Sequence, residues 1–311
     1  MRLLRDIQND YRKVGRFGIN YLDDKLYGIL LGDLILIGAR SGAGKTTLAA
    51  QIARINGKSN KKTVLFSLEN SADDHICSIA YQYFINKTGM YSLSERQFVT
   101  GENLVSSIVT KEESDKYLEE AYEVATSAYS NITLYTRESQ WTAPQLKDTI
   151  LREAKNGAEL IVLDHLDYVD KEYDDISDNE HISSLMRAIR EAQNTERVAV
   201  VAISHLRKPF GKTSKDDIVV PSVDEFIGSS NKVKEATVVV TLAPADSQNE
   251  QAVGSEEEHI KGTWCCIRKL RMGGIDNRAA LLRYNKRTRQ YEANYKEYKV
   301  TYSGSVKEIM Q

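Results

Sequence analysis

The stretch from Ala39 to Thr47, ARSGAGKTT, sets glycines, a lysine and two threonines at a spacing that can hold a phosphate. Before it, Leu34 to Ile37 form an apolar run that reads as a buried strand. After it, TTLAAQIARI carries apolar residues at helical spacing, which predicts a helix starting near Lys45. In such a strand–loop–helix unit the N–H groups of Ser41, Gly42, Ala43, Gly44 and the following residues turn inward around phosphate oxygens. The helix N-terminus adds partial positive charge, Lys45 a mobile cation, and the Thr46 hydroxyl, beside Thr47, a ligand for Mg²⁺. The usual pattern opens on a glycine; here that position is Ala39, with Gly38 just before it.

Other residues fall where a phosphate-cleaving site needs chemistry. ELIVLDHLDYV ends an apolar strand on Asp164, and a carboxylate at the C-terminal end of a buried strand emerges beside the phosphate loop, where it can hold the water shell of Mg²⁺. TVLFSLEN ends a second strand on Glu69, which is either an exposed acid or a base for an attacking water. VAVVAISHL ends a third on Ser204 and His205; the histidine is either a satisfied strand-end residue or a sensor of the terminal phosphate. In IRKLRMGG, Lys269 and Arg271 stand two apart and share one face of a strand. Local sequence favours a solvated basic face there, the alternative being a cation that reaches phosphates on an adjacent subunit. HLRKPFGKTSK places Arg207, Lys208, Lys212 and Lys215 in an irregular loop, either solubilising or suited to a phosphate backbone.

The elements that must position these groups are legible as alternation. Strand-like TVLFSL, NITLY, ELIVLD, VAVVAIS, ATVVVTL and TWCCIRKL interleave with helical stretches such as Ser114 to Ala128, Pro144 to Lys155 and His181 to Gln193. This implies a mostly parallel sheet with helices on both faces. RAALLRYNKRTRQYEA looks like a closing hairpin, and Leu3, Leu4, Ile7 and Tyr11 lie at helical spacing at the start of the chain. Polar stretches at Lys171 to Asp178, Arg207 to Asp217 and Asp246 to Glu258 read as surface loops. The 311 residues, 41% hydrophobic, are enough for a sizeable core, and a net charge of −2 confines any nucleic-acid site to a local patch or a ring of loops. Cys77, Cys265 and Cys266 read as packing residues of a reducing cytosol, and no apolar run resembles a signal peptide or a membrane span.

The segments ARSGAGKTT, VLFSLE, LIVLDHL, VVAISHLRKP, DEFIGSSNKVKEATVVV and IRKLRMGG…LLRYNK resemble, in content and order, the RecA-like motor domain of hexameric replicative helicases, the DnaB family. The resemblance runs from about Gly18 to about Glu292. It leans to the helicase half of phage primase-helicases and their mitochondrial relative, where histidine-leucine-basic follows the third strand; bacterial enzymes usually have glutamine there. It implies an α/β RecA-like P-loop ATPase core over residues 15–311, with a mostly parallel central sheet, helices on both faces and a C-terminal β-hairpin. Residues 1–14 would be a linker helix that grips a neighbouring subunit.

The resemblance also implies roles. Lys45 and Thr46 would bind phosphates and Mg²⁺ of ATP or another NTP, with Asp164 completing the metal site. Glu69 would be the catalytic base and His205 the γ-phosphate sensor. Arg271, helped by Lys269, would reach into the neighbour's site, and Tyr284 would stack on the base. Arg207, with Lys208 and Lys212, would lie in a central DNA-binding loop, and IGSSNK, with Gly228, Ser229 and Lys232, in a second. The implied partners are single-stranded DNA, further copies of the chain in a homo-hexameric ring, and a separate primase or loader, with 5′ to 3′ travel and no membrane. The implied setting is the cytoplasm of a bacterial or phage-infected cell.

The chain departs from the family pattern at two places. The second DNA loop usually opens on arginine and here has Ile227, and Pro244 stands where the phage branch has a base-stacking arginine. The sequence as read holds neither a primase domain nor the bacterial N-terminal collar beside the motor, and loading and priming are expected from other proteins. Two other oligomeric ATPases share much of this motif order: a recombinase that forms filaments on DNA, and a signalling hexamer of the circadian-clock type. A small-molecule kinase fits least, because no arginine-rich lid is present.

Overall fold

The computed structural model describes residues 3–59, 61–137, 140–207, 220–226, 229–245, 260–274, 278–285, 290–300 and 306–308. The elements run α1 (Leu4–Asp10), β1 (Lys13–Gly15), α2 (Asn20–Leu26), β2 (Ile29–Leu30), β3 (Leu34–Ala39), α3 (Lys45–Lys58), β4 (Thr63–Ser67), α4 (Ala72–Thr88), α5 (Glu95–Thr100) and α6 (Lys111–Ser127). They continue β5 (Ile132–Thr136), α7 (Ala143–Lys155), β6 (Leu160–Asp164), α8 (Asp178–Glu196), β7 (Ala199–His205), α9 (Ser229–Glu235), β8 (Val238–Pro244), β9 (Ile260–Leu270), β10 (Arg278–Asn285), β11 (Gln290–Val300) and β12 (Val306–Glu308).

β1 and β2 pair with each other, and the remaining strands form one sheet in the order β12-β11-β10-β9-β8-β3-β7-β6-β4-β5. From β8 to β5 every pairing is parallel. From β8 outward to β12 every pairing is antiparallel. The parallel strands are continuous apolar runs because helices cover both faces. On β3, Ile35, Ile37 and Ala39 pack with Leu48, Ala49 and Ile52 of α3 on one face. Leu34 and Leu36 belong to the opposite core with Leu146 and Ile150 of α7 and Leu185 and Ile189 of α8.

The expected mostly parallel sheet and closing hairpin (β10–β11) are present. The antiparallel wing is larger than a hairpin and has its own core around Trp264, Cys266, Leu281 and Tyr298. The helices begin earlier than periodicity alone indicates, because reciprocal caps lie about a turn upstream. Thr110 pairs with Glu113 before α6, and Ser177 with Glu180 before α8. A helical insertion between β4 and β5, α4 to α6, packs around Phe84, Phe98 and Ala121. The 171–177 stretch is a connecting segment, as expected, with Asp178 already the first residue of α8, whereas 208–219 and 246–259 lie outside the described residues. No helix among the described residues is long and apolar enough to cross a membrane.

Candidate active site

Six parallel strands end together at one edge of the sheet. Ala39 of β3 pairs with His205 of β7 and Leu242 of β8, and Ser67 of β4 with Asp164 of β6 and Thr136 of β5. Brought to this edge, the chemistry-bearing residues surround the loop that leaves β3. Gly42 and Gly44 have φ of +79° and +78°, values that disfavour any side chain, so the loop needs glycine at both. α3 opens at Lys45, as the sequence predicts, and no side chain caps it. Its first-turn N–H groups are therefore left for an anion. The loop is held from three sides. Arg40 N–H donates to the Leu242 carbonyl at 3.1 Å, and the Arg40 guanidinium forks onto Glu225, with both bonds at 2.9 Å. The Tyr291 hydroxyl donates to the Ala43 carbonyl at 3.0 Å.

Lys45, Glu69, Asp164 and His205 converge beside this loop. Burial lowers the Lys45 pKa, while Glu69, Asp164 and Asp167 act together to raise it. Asp164 is buried, and neither of its oxygens has a partner within hydrogen-bond distance. Burial pushes its carboxyl up to about 6, against the facing Thr46 hydroxyl, which draws it down. A buried carboxylate with two orphaned oxygens beside a hydroxyl is a hard, all-oxygen donor set, and Mg²⁺ suits it.

A second carboxylate, Asp167, lies on the 3-10 turn Leu166–Tyr168, just beyond β6. It accepts the His205 backbone N–H at 2.8 Å and the Lys232 ammonium at 2.7 Å. The ring of His165 lies between Glu69 (Nε2–Oε2 3.5 Å) and Asp167 (Nδ1–Oδ2 3.4 Å), 4.2 Å from the His205 ring centroid to centroid. Burial pushes the Asp167 carboxyl up, but His165, Lys232 and the His205 amide overcome it and hold it well below the usual carboxylate range. His205 has its pKa lowered, first by burial and then by His165 and Lys45. The donor atoms of His165, Asp167 and His205 lie within 4.8 Å of one another. Because the Lys232 ammonium already neutralises that carboxylate, the cluster is an ion-pair centre rather than a metal centre.

The structure corrects two of the sequence expectations. Lys232, read as a DNA-binding residue, is fully buried and bonded to Asp167 and Ser204, so it presents no charge to a phosphate backbone. Lys269, read as a helper of Arg271, donates to the carbonyls of Val233 and Lys234 at 2.6 and 3.1 Å. It closes the last turn of α9 in its own chain.

The other expected residues fall as follows. Tyr284 lines a cavity of about 210 Å³ with Gly42, Gly44, Pro244 and Lys261, next to the phosphate loop. Arg207 is exposed directly after β7, its N–H bonded to the Glu225 carbonyl at 2.8 Å. Ser229 opens α9, while Lys208, Lys212 and Gly228 lie outside the described residues. Ser41 is exposed and Thr47 half-buried beside Thr46.

Arg271 lies far from its own phosphate loop. Its N–H donates to the Thr237 carbonyl, whose own N–H donates to Leu34, the first residue of β3. The phosphate loop leaves the other end of that strand, and six residues at about 3.3 Å each put roughly 15–20 Å between the two ends. Sequence reasoning missed Asp167 and His165. Their signal was present as further polar residues in DHLDY, immediately after Asp164.

The sequence model of the family described as DnaB-like helicase C terminal domain matches residues 16–293. The chain is 24% identical over 255 residues to the replicative DNA helicase DnaB of Geobacillus stearothermophilus, covering 78% of this chain and 49% of that protein. It is 23% identical over 275 residues to the DNA helicase/primase of Enterobacteria phage T3, covering 87% and 44%. The chain thus spans about half the length of the relatives it matches. In fold it is similar to a DnaB-like replicative helicase solved in a study of its interactions with primase, with a TM-score of 0.70 at 19% identity over 93% of this chain and 66% of that one. It is also similar to a second solved chain, an isolated ATPase domain, with a TM-score of 0.71 at 18% identity over 94% and 95%.

Proposed function

Because the chain belongs to the DnaB-like helicase C-terminal domain family, we propose that it is the motor of a ring-forming helicase that hydrolyses ATP or another NTP at its subunit interfaces to move on single-stranded DNA. The triphosphate of the substrate lies in the Gly42–Gly44 loop against Lys45. Thr46 and Asp164 would hold Mg²⁺, which would supply charge neutralisation for phosphoryl transfer. Glu69, at the end of β4 and partly exposed, takes the proton of the attacking water. His205 registers the terminal phosphate. Tyr284 covers the base, with Pro244 beside it in place of a stacking arginine, which fits a relaxed choice of base.

The observation that carries this reading is the position of Arg271, exposed at the sheet edge opposite its own phosphate loop. Such a cation serves hydrolysis only from a neighbouring subunit, as an arginine finger does. α1 supports the same assembly. The helix spans Leu4–Asp10 rather than the whole of the expected 1–14, because Lys13–Gly15 is strand β1 and Val14 joins the core. Leu3 and Leu4 at its start are 72% and 69% exposed, apolar side chains that a linker role would bury on a neighbour. Arg207, two residues beyond His205, and the start of α9 at Ser229 face the DNA strand in the ring's channel. Travel is 5′ to 3′, in the cytoplasm of a bacterial or phage-infected cell.

Mixing inactive variants tests the arrangement. Lys45→Ala and Arg271→Ala, each inactive alone, should regain ATP hydrolysis when co-assembled, because some interfaces then pair an intact loop with an intact arginine. Failure to regain activity in mixed assemblies of confirmed composition rejects the shared site.

A further inference from the structure

We propose that Asp167 and Lys232 are positioning residues that tie the γ-phosphate sensor to the second DNA-facing loop, so that the nucleotide state of one is read by the other. The inference rests on the helicase reading above. One carboxylate spans two elements. Its Oδ2 accepts the His205 backbone N–H at 2.8 Å, and its Oδ1 accepts the Lys232 ammonium at 2.7 Å. Lys232 also donates to Ser204 Oγ at 2.8 Å. The ammonium is fully buried and Asp167 is its one carboxylate partner among the described residues. A shift at the end of β7 must therefore carry α9 with it or strand a buried charge, which is strongly unfavourable.

The roots of the two loops are joined in the same place. Leu206 and Phe226 form an antiparallel bridge, and Arg207 N–H donates to the Glu225 carbonyl at 2.8 Å. Glu225 also holds Arg40 of the phosphate loop with two bonds at 2.9 Å. Phe226 presses on β3 so closely that a Cβ on Gly38 would sit 2.3 Å from its ring. The phosphate loop, the sensor strand and the entries to both loops are thus one packed unit. The Asp167–Lys232 pair extends that unit to α9, whose first turns carry the SSNK part of the second DNA-facing stretch.

The test compares wild type with the double variant Asp167→Asn/Lys232→Met. The asparagine oxygen can still accept the His205 N–H and methionine fills the lysine stem, so the tie to α9 is cut without stranding a charge. Lys232→Met alone, which leaves Asp167 facing the His165 and His205 rings, separates that loss from a change at the sensor itself. Affinity for a fluorescent single-stranded oligonucleotide is measured with a slowly hydrolysed ATP analogue and with ADP, alongside analogue affinity and thermal unfolding. Wild type should bind DNA about tenfold or more tightly in the analogue state, and the variant should keep analogue affinity while the ratio falls below about threefold. A folded variant that keeps the tenfold ratio overturns the link and leaves the helicase reading standing. A wild type with no nucleotide dependence overturns both. If the double variant does not fold, Lys232→Met alone is judged by the same ratio.

Discussion

The Tyr291 hydroxyl donates to the Ala43 carbonyl, which joins the antiparallel wing to the middle of the phosphate loop, and both residues are buried. Burial raises the phenol's pKa, so it stays a donor through any working pH. Tyr291→Phe removes the donor and leaves the carbonyl unpaired. The expected cost is about 1–2 kcal/mol in urea unfolding, with a several-fold loss of nucleotide affinity as the loop loosens. Unchanged stability together with unchanged nucleotide titration would show that the loop is held without this contact.

His75 of α4 offers a pH signature. Its Nε2 meets Ser67 Oγ at 2.8 Å and its Nδ1 meets the Tyr129 hydroxyl at 3.1 Å. Burial first, and then the Arg54 charge, lowers its pKa from 6.5 to about 4. Between those values the unfolded chain takes up a proton that the folded chain refuses, so stability falls as pH falls through this window. The whole window is worth about 3 kcal/mol. His75→Gln should flatten that slope. Urea unfolding of both proteins at pH 7 and 4.5 checks it, and parallel slopes would assign the acid sensitivity to other groups.

The sequence made β3, the phosphate loop and the ends of β4, β6 and β7 legible, because parallel strands buried on both faces are unbroken apolar runs ending in polar residues. α4 escaped because its apolar residues are scattered rather than gathered in one stripe. The fates of Lys232 and Lys269 were not local properties. Lys232 meets a carboxylate 65 positions away in sequence, and Lys269 reaches carbonyls 35 and 36 positions away. A lysine in a polar stretch reads the same whether it faces solvent or a buried acid. Only the packing of α9, which brings Lys232 to Asp167 and Ser204, decides between them.

Asp164 should respond in opposite senses with and without metal. Its orphaned, buried carboxylate, with its pKa pushed up to about 6, costs stability once ionised. Above pH 6 the metal-free Asp164→Asn protein should therefore melt no lower than wild type. Addition of Mg²⁺ with a nucleotide analogue should raise the melting temperature of wild type by several degrees more than that of the variant, about 4 °C for each additional 1–2 kcal/mol. Chelation should abolish the difference. Equal metal-dependent stabilisation of the two proteins would remove Asp164 from the metal site.

Arg271 is the residue on which the proposed oligomeric mechanism turns. It lines a surface cavity with Tyr11 and Arg190, and its charge helps depress the Arg190 pKa, second to burial. A planar guanidinium on a neighbour's phosphates can stabilise charge that a lysine, as a compact point charge, matches poorly. Arg271→Ala should lower the hydrolysis rate of the assembled protein by about a thousandfold, with nucleotide affinity and melting temperature little changed, and Arg271→Lys should recover only a small part of that loss. Steady-state hydrolysis above the assembly concentration, paired with analogue titration, measures both. A loss smaller than about tenfold would mean that the opposite edge of the sheet supplies no catalytic cation, and the reason for placing the site between subunits would disappear with it.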